Sequence, residues 1–407
     1  MEQEQQAGQR SGEELKRLFR TLAFSSFFLY FGFNVWRAVF NNFAVEELGV
    51  TATQIGVIQS VRELPGLLAF TIGFLVLWIS EMRLIGISVL LLGLGIVIGG
   101  GASGMGVLLV GSLVMSIGFH VFYPSSSSVV LMGVGKDQAP RWLGRLGSVS
   151  AFAAMVGTLV VWFMVDGVQL GSITIPAWGY RTTLYVTGGV VLFGSLFAMR
   201  NGRRYGRQRR QRKVVFRRDY WLYYTLTFMM GSRRHIFTTF AIFMLVQVYG
   251  ISVRETATLF LINSLISVFA LPQLGKLVAR FGERKVLTVN FAGLIGVFLG
   301  YAYLPYLPVL YALFVLDHIF FGLNLAVDSY FQKISHSQEE ITSNVSMAQT
   351  INHVSALVVP ILGGILWEQV SPSATFLAGV VIAVISLVLV QFIRTGPVAT
   401  PVPVPAD

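Results

Sequence analysis

Arg37-Ala-Val-Phe40-Asn41-Asn42-Phe43 returns later in the chain as Arg234-His235-Ile-Phe237-Thr238-Thr239-Phe240, keeping Arg-x-x-Phe-polar-polar-Phe. Both copies lie deep in long apolar segments. An arginine near the middle of a bilayer costs about 2.5–3.5 kcal/mol on insertion scales. A chain that repeats this cost at corresponding depth in two halves needs a reason. The reading is a charged clamp at the interface of two repeats, facing a negatively charged substrate.

Outward from this stretch the chain stays apolar. Of its 407 residues 54% are hydrophobic and 12% charged, against about 25% charged in ordinary soluble domains. Several stretches exceed the roughly 20 apolar residues needed to cross a hydrocarbon core, so the fold class is an all-α polytopic membrane protein. Cysteine is absent, which excludes disulfides, thiolate metal sites and thiol nucleophiles. The net charge of +11 gathers in the run from Arg200 through Arg203, Arg204, Arg207, Arg209, Arg210, Arg212 and Lys213 to Arg217 and Arg218, between two hydrophobic halves. That placement fits a cytoplasmic linker under the positive-inside rule beside anionic lipid headgroups. No nucleic-acid partner is expected.

Residues 1–19 are polar and lack the basic start and apolar core of a cleavable signal peptide. Apolar segments follow at about 20–46, 53–79, 83–101, 105–133, 145–165 and 182–199, then at about 218–249, 252–278, 286–304, 307–334, 341–367 and 373–394. The reading is twelve transmembrane helices in two six-helix bundles, 20–199 and 218–395. A cytoplasmic segment 1–19, the basic linker 200–217 and a Pro-rich disordered tail 396–407 complete the chain. Lys16, Arg17, Arg20, Arg83, Lys136, Arg141, Arg145, Lys276, Arg280, Arg284, Lys285, Lys333 and Arg394 fall on the linker's side, and only Arg181 and Arg254 on the other. Both termini are therefore expected in the cytoplasm. Short loops and compact size suggest a bacterial inner membrane.

The halves also align with each other. Arg37 pairs with Arg234 at an offset of 197, Gly49-Val-Thr with Gly250-Ile-Ser at 201, Gly73 with Gly275 at 202 and Gly118 with Gly322 at 204. So small a drift over most of a half signals a repeat. Two parallel repeats with a midplane site between them are a known transporter architecture.

At Gly275-Lys-Leu-Val-Ala279-Arg280-Phe-Gly282-Glu-Arg284-Lys285 the chain resembles the major facilitator superfamily loop signature G-x-L-a-D-r-x-G-r-r. The first-half counterpart, Gly73-Phe-Leu-Val-Leu77-Trp-Ile-Ser80-Glu81-Met-Arg83, is degraded. Leu77 and Ala279 stand where the signature has aspartate, so the family's usual cytoplasmic charge relay is not expected. Pro360-Ile-Leu-Gly363-Gly364 resembles the P-x-x-G-G piece of the antiporter motif, without a matching proline near Gly157. The arginines on the first and seventh spans are similar in placement to those of the organophosphate–phosphate antiporters of that superfamily. The resemblance implies that the first, fourth, seventh and tenth spans line a central cavity.

Those four spans carry polar stripes of their own: Tyr30, Asn34, Arg37 and Asn41; Ser112, Ser116, His120, Tyr123 and Ser127; Thr227, Arg234 and Thr238 with Gly231 in register; Asp317, Asn324 and Asp328. Such a stripe should face water or protein rather than lipid. Two guanidinium groups in a partly dehydrated cavity suit a phosphate, phosphonate or carboxylate, because the group is planar, permanently charged and bidentate. The expected substrate contacts are Arg37, Arg234, Asn34, Asn41, Tyr30, Thr238, His120, Tyr123 and Asn324. The alternative is that each arginine pairs with a buried acid and holds helices together.

Arg233 lies about 100° around the helix from Arg234 and is expected to pair with an acid or widen the positive field. Arg62 and Glu63 in the second span form a structural pair or place a protonatable carrier at Glu63. Asp317 and Asp328 are further proton-coupling or gating candidates, one of them able to neutralise Arg234 until substrate arrives. His318 and His353 carry weaker signals. His235 beside Met229 and Met230 has poor ligand spacing and arginine neighbours that repel cations. No metal site, cofactor motif or catalytic residue is read, and no Walker A, G-x-S-x-G or HExxH sequence occurs.

The expected function is secondary transport of a small organic or phosphorylated anion by alternating access, driven by protons or a counter-anion, in a monomer surrounded by membrane lipids. Efflux of a toxic or signalling compound would use the same parts. A polytopic sensor or assembly factor that binds without moving its ligand is the reading from another class.

Overall fold

The computed structural model describes residues 12–68, 78–133, 139–201, 217–335 and 338–394. Thirteen α-helices account for most of them: α1 (Gly12–Asn42), α2 (Ala52–Leu67), α3 (Glu81–Gly100), α4 (Met105–Gly133), α5 (Ala139–Met164), α6 (Gly179–Asn201), α7 (Trp221–Gln247), α8 (Val253–Phe281), α9 (Glu283–Tyr303), α10 (Leu307–Gly322), α11 (Leu325–Ile334), α12 (Gln338–Gln369) and α13 (Pro372–Val390). A π-helical turn, Phe43–Glu47, extends α1, and a short antiparallel hairpin, β1 (Val168–Leu170) and β2 (Ile173–Ile175), joins α5 to α6. The basic linker's centre, residues 73–77 of the Gly73 loop signature, the tail and the first residues lie outside the described residues.

Nine stretches among the described residues are long and apolar enough to cross a membrane. Hydropathy alone therefore does not reach the expected count of twelve. The seventh expected span, α7, carries Arg233, Arg234 and His235 in its middle, which lowers its apolar character where the sequence pointed to a site. The tenth expected span is two helices rather than one. Short i to i−3 bonds at Leu323 and Asn324 close α10 and open α11, so the backbone breaks beside Asn324.

Helices α1–α6 pack on one another through the pairs α3·α4, α3·α6 and α1·α5. Helices α7–α13 pack through α9·α13, α7·α12, α7·α13 and α8·α10. The two groups meet along α2·α12 and α5·α8. Close approach in the first group relies on missing side chains. A Cβ on Gly95 or Gly118 would strike backbone of α4 or α3 respectively, the small-residue packing that replaces a hydrophobic drive between helices in lipid.

The internal repeat is written into the backbone. Gly49 and Gly250 both turn with positive φ, 60° and 64°, which glycine adopts without a Cβ penalty. Val50 and Ile251 then donate back to Ala44 and Leu245, at 2.9 and 3.1 Å. Two residues after each glycine a capping box starts the next helix: Thr51 with Gln54 before α2, Ser252 with Glu255 before α8. Turn, closure and cap recur at one offset, 201.

The seam between the halves is regular where α2 meets α12. These helices run antiparallel. A Cβ on Gly56 would collide with the Pro360 carbonyl, one on Gly364 with Ala52 and Thr53, and Glu63 bonds His353. Ala52, Gly56 and Glu63 on α2 thus face Gly364, Pro360 and His353 on α12, each set spaced four and seven residues apart. The Pro360-x-x-Gly363-Gly364 motif is the α12 side of this seam, and Gly363 is itself filled by the Phe240 ring of α7.

Candidate functional site

Four helices bring the charged groups of the interior together. From α1, Arg37 is exposed although it sits in mid-helix, and its guanidinium lies over the Phe260 ring of α8 at 4.4 Å. From α7, Arg234 is half-buried and lies over the Phe321 ring of α10 at 4.8 Å. The two arginines are near enough to repel one another. Neither is ion-paired to a carboxylate among the described residues. A ring on one face of a guanidinium leaves its edge donors available, and cation–π contact offsets part of the cost of desolvation.

Their depths differ from the sequence expectation. Arg37 precedes the repeat glycine Gly49 by 12 residues and Arg234 precedes Gly250 by 16. Counted from those turns, Arg234 lies one helical turn further in, about 6 Å along the axis. The position equivalent to Arg37 at offset 201 is Thr238, whose hydroxyl donates to the Arg234 carbonyl at 3.0 Å. The shared motif marks one face at two adjacent levels, not one level.

Arg233 and Asp317 form the buried pair. Arg233 is fully buried and its Nη1 donates to Asp317 Oδ1 at 2.9 Å. Asp317 is thereby placed on Arg233, not on Arg234 as the neutralising acid considered from sequence. The expectation that Arg233 finds an acid is met. Its Nε and Nη2 have no hydrogen-bond partner, so the pairing is incomplete.

Glu63 is held in a polar cluster that crosses the seam. His353 Nδ1 of α12 is 3.0 Å from Glu63 Oε2, His120 Nε2 of α4 is 3.8 Å from the same oxygen, and Arg62 Nη2 is 3.9 Å from Oε1. Ser116 Oγ donates to the Arg62 carbonyl and stands 2.9 Å from His120 Nδ1. The two imidazoles meet edge to face at 5.2 Å. They fit because Gly66 has no side chain: a Cβ there would strike both. Glu63, His120 and His353 form a group with ligand-type atoms within 4.8 Å of one another. His353 was a weak sequence signal. What could have raised it is its spacing from Pro360 and Gly364, which puts it on the α12 face that meets α2.

The remaining expected site residues divide. Asn34 spends its amide on the Tyr30 carbonyl at 2.8 Å, and the Tyr30 ring packs against Phe119 and Phe122. Asn41 and Asn324 are inward-facing with an unpartnered amide oxygen each, Asn324 at the α10–α11 break. Thr238 and Tyr123 are exposed. His235 is buried with Nε2 unpartnered. His318 is held by Ser267 at 2.7 Å. Asp328 is exposed and makes no ion pair among the described residues. Near it, Glu283 takes Lys333 at 2.7 Å and Ser329 at 2.6 Å.

Hydrogen bonds between the halves gather at the end carrying Gly49 and Gly250. Asn42 donates to the Ile251 carbonyl at 2.8 Å and accepts from Thr256 at 3.1 Å. Thr53 gives its amide and hydroxyl to Glu368 at 3.0 and 2.7 Å. Arg254 donates to the Trp162 and Gly167 carbonyls and stacks on Trp162, whose ring nitrogen donates to Thr258. Nearer the linker end, Glu63 and His353 join the halves at 3.0 Å. The polar groups around Arg37 and Arg234 are therefore closed over at the end carrying Gly49 and Gly250.

Comparisons with known proteins agree with this geometry. Residues 22–338 match the sequence profile of the Major Facilitator Superfamily. An uncharacterized MFS-type transporter of Methanocaldococcus jannaschii is 30% identical over 133 residues, so the chain aligns with 33% of that relative's length. The structure of a bacterial homolog to the human lysosomal transporter Spinster, inward-facing and occupied, superposes with a TM-score of 0.74 at 14% identity, over 96% of this chain and 98% of the other. The nucleoside transporter NupG superposes with a TM-score of 0.71 at 14% identity, over 92% and 97%. At these identities the likeness is one of fold.

Proposed function

The chain belongs to the Major Facilitator Superfamily, and from that premise we propose that it is a secondary transporter, not an enzyme, for a small organic or phosphorylated anion. The observation that carries the anion is the pair of mid-helix guanidiniums, Arg37 and Arg234, each stacked on a phenyl ring and neither ion-paired to a carboxylate among the described residues. A guanidinium within a membrane-spanning segment and without an ion-pair partner costs free energy, and an anionic ligand supplies the missing charge with bidentate hydrogen bonds. Asp317 does not compete for this role, because Arg233 holds it.

The rest of the cycle follows from the seam. With the far end latched by Asn42, Thr53, Glu368 and Arg254, the site is reached from the linker end, which the positive-inside rule places in the cytoplasm. Alternating access then requires that latch to open and the linker end to close around the arginines. Glu63 and Asp317 both lie in the electrostatic field of Arg234, and of the two Glu63 is the one not bonded to Arg233. Its protonation, or exchange with a counter-anion, is the coupling step in this reading.

The test is flux. Purified protein in liposomes is loaded and assayed with phosphate, organophosphates, phosphonates, monocarboxylates and dicarboxylates, with a pH gradient or a trans anion. Saturable uptake of an anion, lost in Arg37→Ala and Arg234→Ala, supports the proposal. Flux only of neutral or cationic compounds, untouched by either change, contradicts it. Binding without flux would favour the sensor.

A further inference from the structure

The Glu63, His120 and His353 cluster has a geometry that transport of an anion does not explain. His120 Nδ1 lies 3.0 Å from the Ser116 carbonyl oxygen, which only accepts. Ser116 Oγ is already donating to the Arg62 carbonyl and so accepts from the same ring nitrogen. Both partners fix the hydrogen on Nδ1. In the neutral ring, Nε2 then presents a lone pair to Glu63 Oε2, 3.8 Å away. Two acceptors face each other across a gap, with the His353 Nδ1 on the other flank of that oxygen at 3.0 Å.

We infer that these three side chains form a binding site for a divalent transition-metal ion of the zinc class. Zinc takes imidazole nitrogen and carboxylate oxygen at about 2.0–2.2 Å, and tetrahedral bonds of that length separate neighbouring ligand atoms by about 3.3 Å. The two separations at Glu63 Oε2 bracket that value. The ligand-type atoms all lie within 4.8 Å of one another, so the imidazoles have to close on each other by no more than about 1.5 Å. Mixed nitrogen and oxygen ligands of this kind suit zinc, cobalt(II) and nickel(II).

The support around the ligands resembles that of a metal centre. Ser116 orients His120 through its outer nitrogen, the arrangement that fixes a ligand imidazole and raises its basicity. Gly66 leaves the space in which both rings meet. A metal on His353 Nδ1 takes the lone pair of the tautomer that carries its hydrogen on Nε2, so binding would move that hydrogen from Nδ1 to Nε2. Arg62 engages the other carboxylate oxygen, and together with Arg37 and Arg234 it opposes a cation. The ion is therefore held more weakly than in a closed structural zinc site. Because the ligands come from α2 and α4 on one side and α12 on the other, a bound ion ties the two halves in this conformation. The sequence reading weighed metal chemistry only at His235, and the group found here lies elsewhere.

The inference is tested without any transport assay. Full-length protein carrying no polyhistidine tag is titrated with cobalt(II) in detergent, followed by its visible absorption and displacement with zinc. The expected result is one ion per chain, with affinity lowered at least about tenfold in His120→Ala and in His353→Ala and unchanged in His318→Ala. Zinc-edge X-ray absorption on the unsubstituted protein gives a reading independent of any variant's folding, and two imidazole nitrogens are expected around the ion. No saturable cobalt spectrum, equal affinity in all three variants, or a shell of oxygens alone would overturn the inference.

Discussion

Arg233 and Asp317 hold each other at 2.9 Å inside the second half, and this buried pair defines the character of its neighbour Arg234. Consecutive residues on one helix point about 100° apart, so one arginine is consumed by structure and the next is left for the cavity. Removing one partner of a buried pair strands the other charge. Asp317→Asn is therefore expected to destabilise the protein by about 3–5 kcal/mol, whereas the joint change Arg233→Met with Asp317→Leu should be near neutral or stabilising. Thermal unfolding in detergent separates the two. Equal losses in both would mean that the pair does not account for the stability.

The latch at the Gly49 and Gly250 end offers a second expectation. Asn42→Ala removes two hydrogen bonds across the halves and Glu368→Gln weakens the pair to Thr53. At about 1 kcal/mol for each bond, the double change should shift the balance between open ends by an order of magnitude or more. The chain has no native cysteine, so Ser103→Cys and Tyr306→Cys can carry spin labels on exposed loops of that end. A longer population of inter-label distances is expected when the latch is weakened. An unchanged distribution would place the barrier elsewhere.

The α2·α12 seam gives a third. Gly56 has no room for a Cβ against the Pro360 carbonyl, and backbone cannot step aside as a flexible side chain can. Gly56→Val should cost about 1–3 kcal/mol by overpacking, and Gly104→Val, with open space around it, far less. Midpoints of thermal unfolding check the contrast.

Much of this was readable in the sequence, for physical reasons that differ by feature. Positive φ at Gly49 and Gly250 and the caps at Thr51 and Ser252 are local, so the repeat they mark could be found from spacing alone. The membrane class followed from composition. Arg37 and Arg234 stood out because charge in an apolar helix is rare, yet their one-turn difference in depth was hidden until the turns supplied a reference. Which acid meets which arginine depends on helix rotation and on α10 ending at Gly322: Asp317 or Asp328 could be named for Arg234 from sequence, but not that Asp317 bonds Arg233. Glu63 was singled out, but its partner His353 lies 290 residues away. Only the packing of α2 on α12 brings them together.

The most direct test of the anion clamp is ligand binding by the purified protein and by Arg37→Ala and Arg234→Ala, read as the rise in unfolding temperature against phosphate, organophosphates, phosphonates, carboxylates and cations. A charge-assisted contact contributes about 1.5–3 kcal/mol, so each change should weaken anion binding by about ten- to a hundredfold. The account predicts an anion that stabilises the unsubstituted protein and neither variant. A cation or neutral compound that stabilises all three equally would contradict it, and would make Arg37 and Arg234 structural residues.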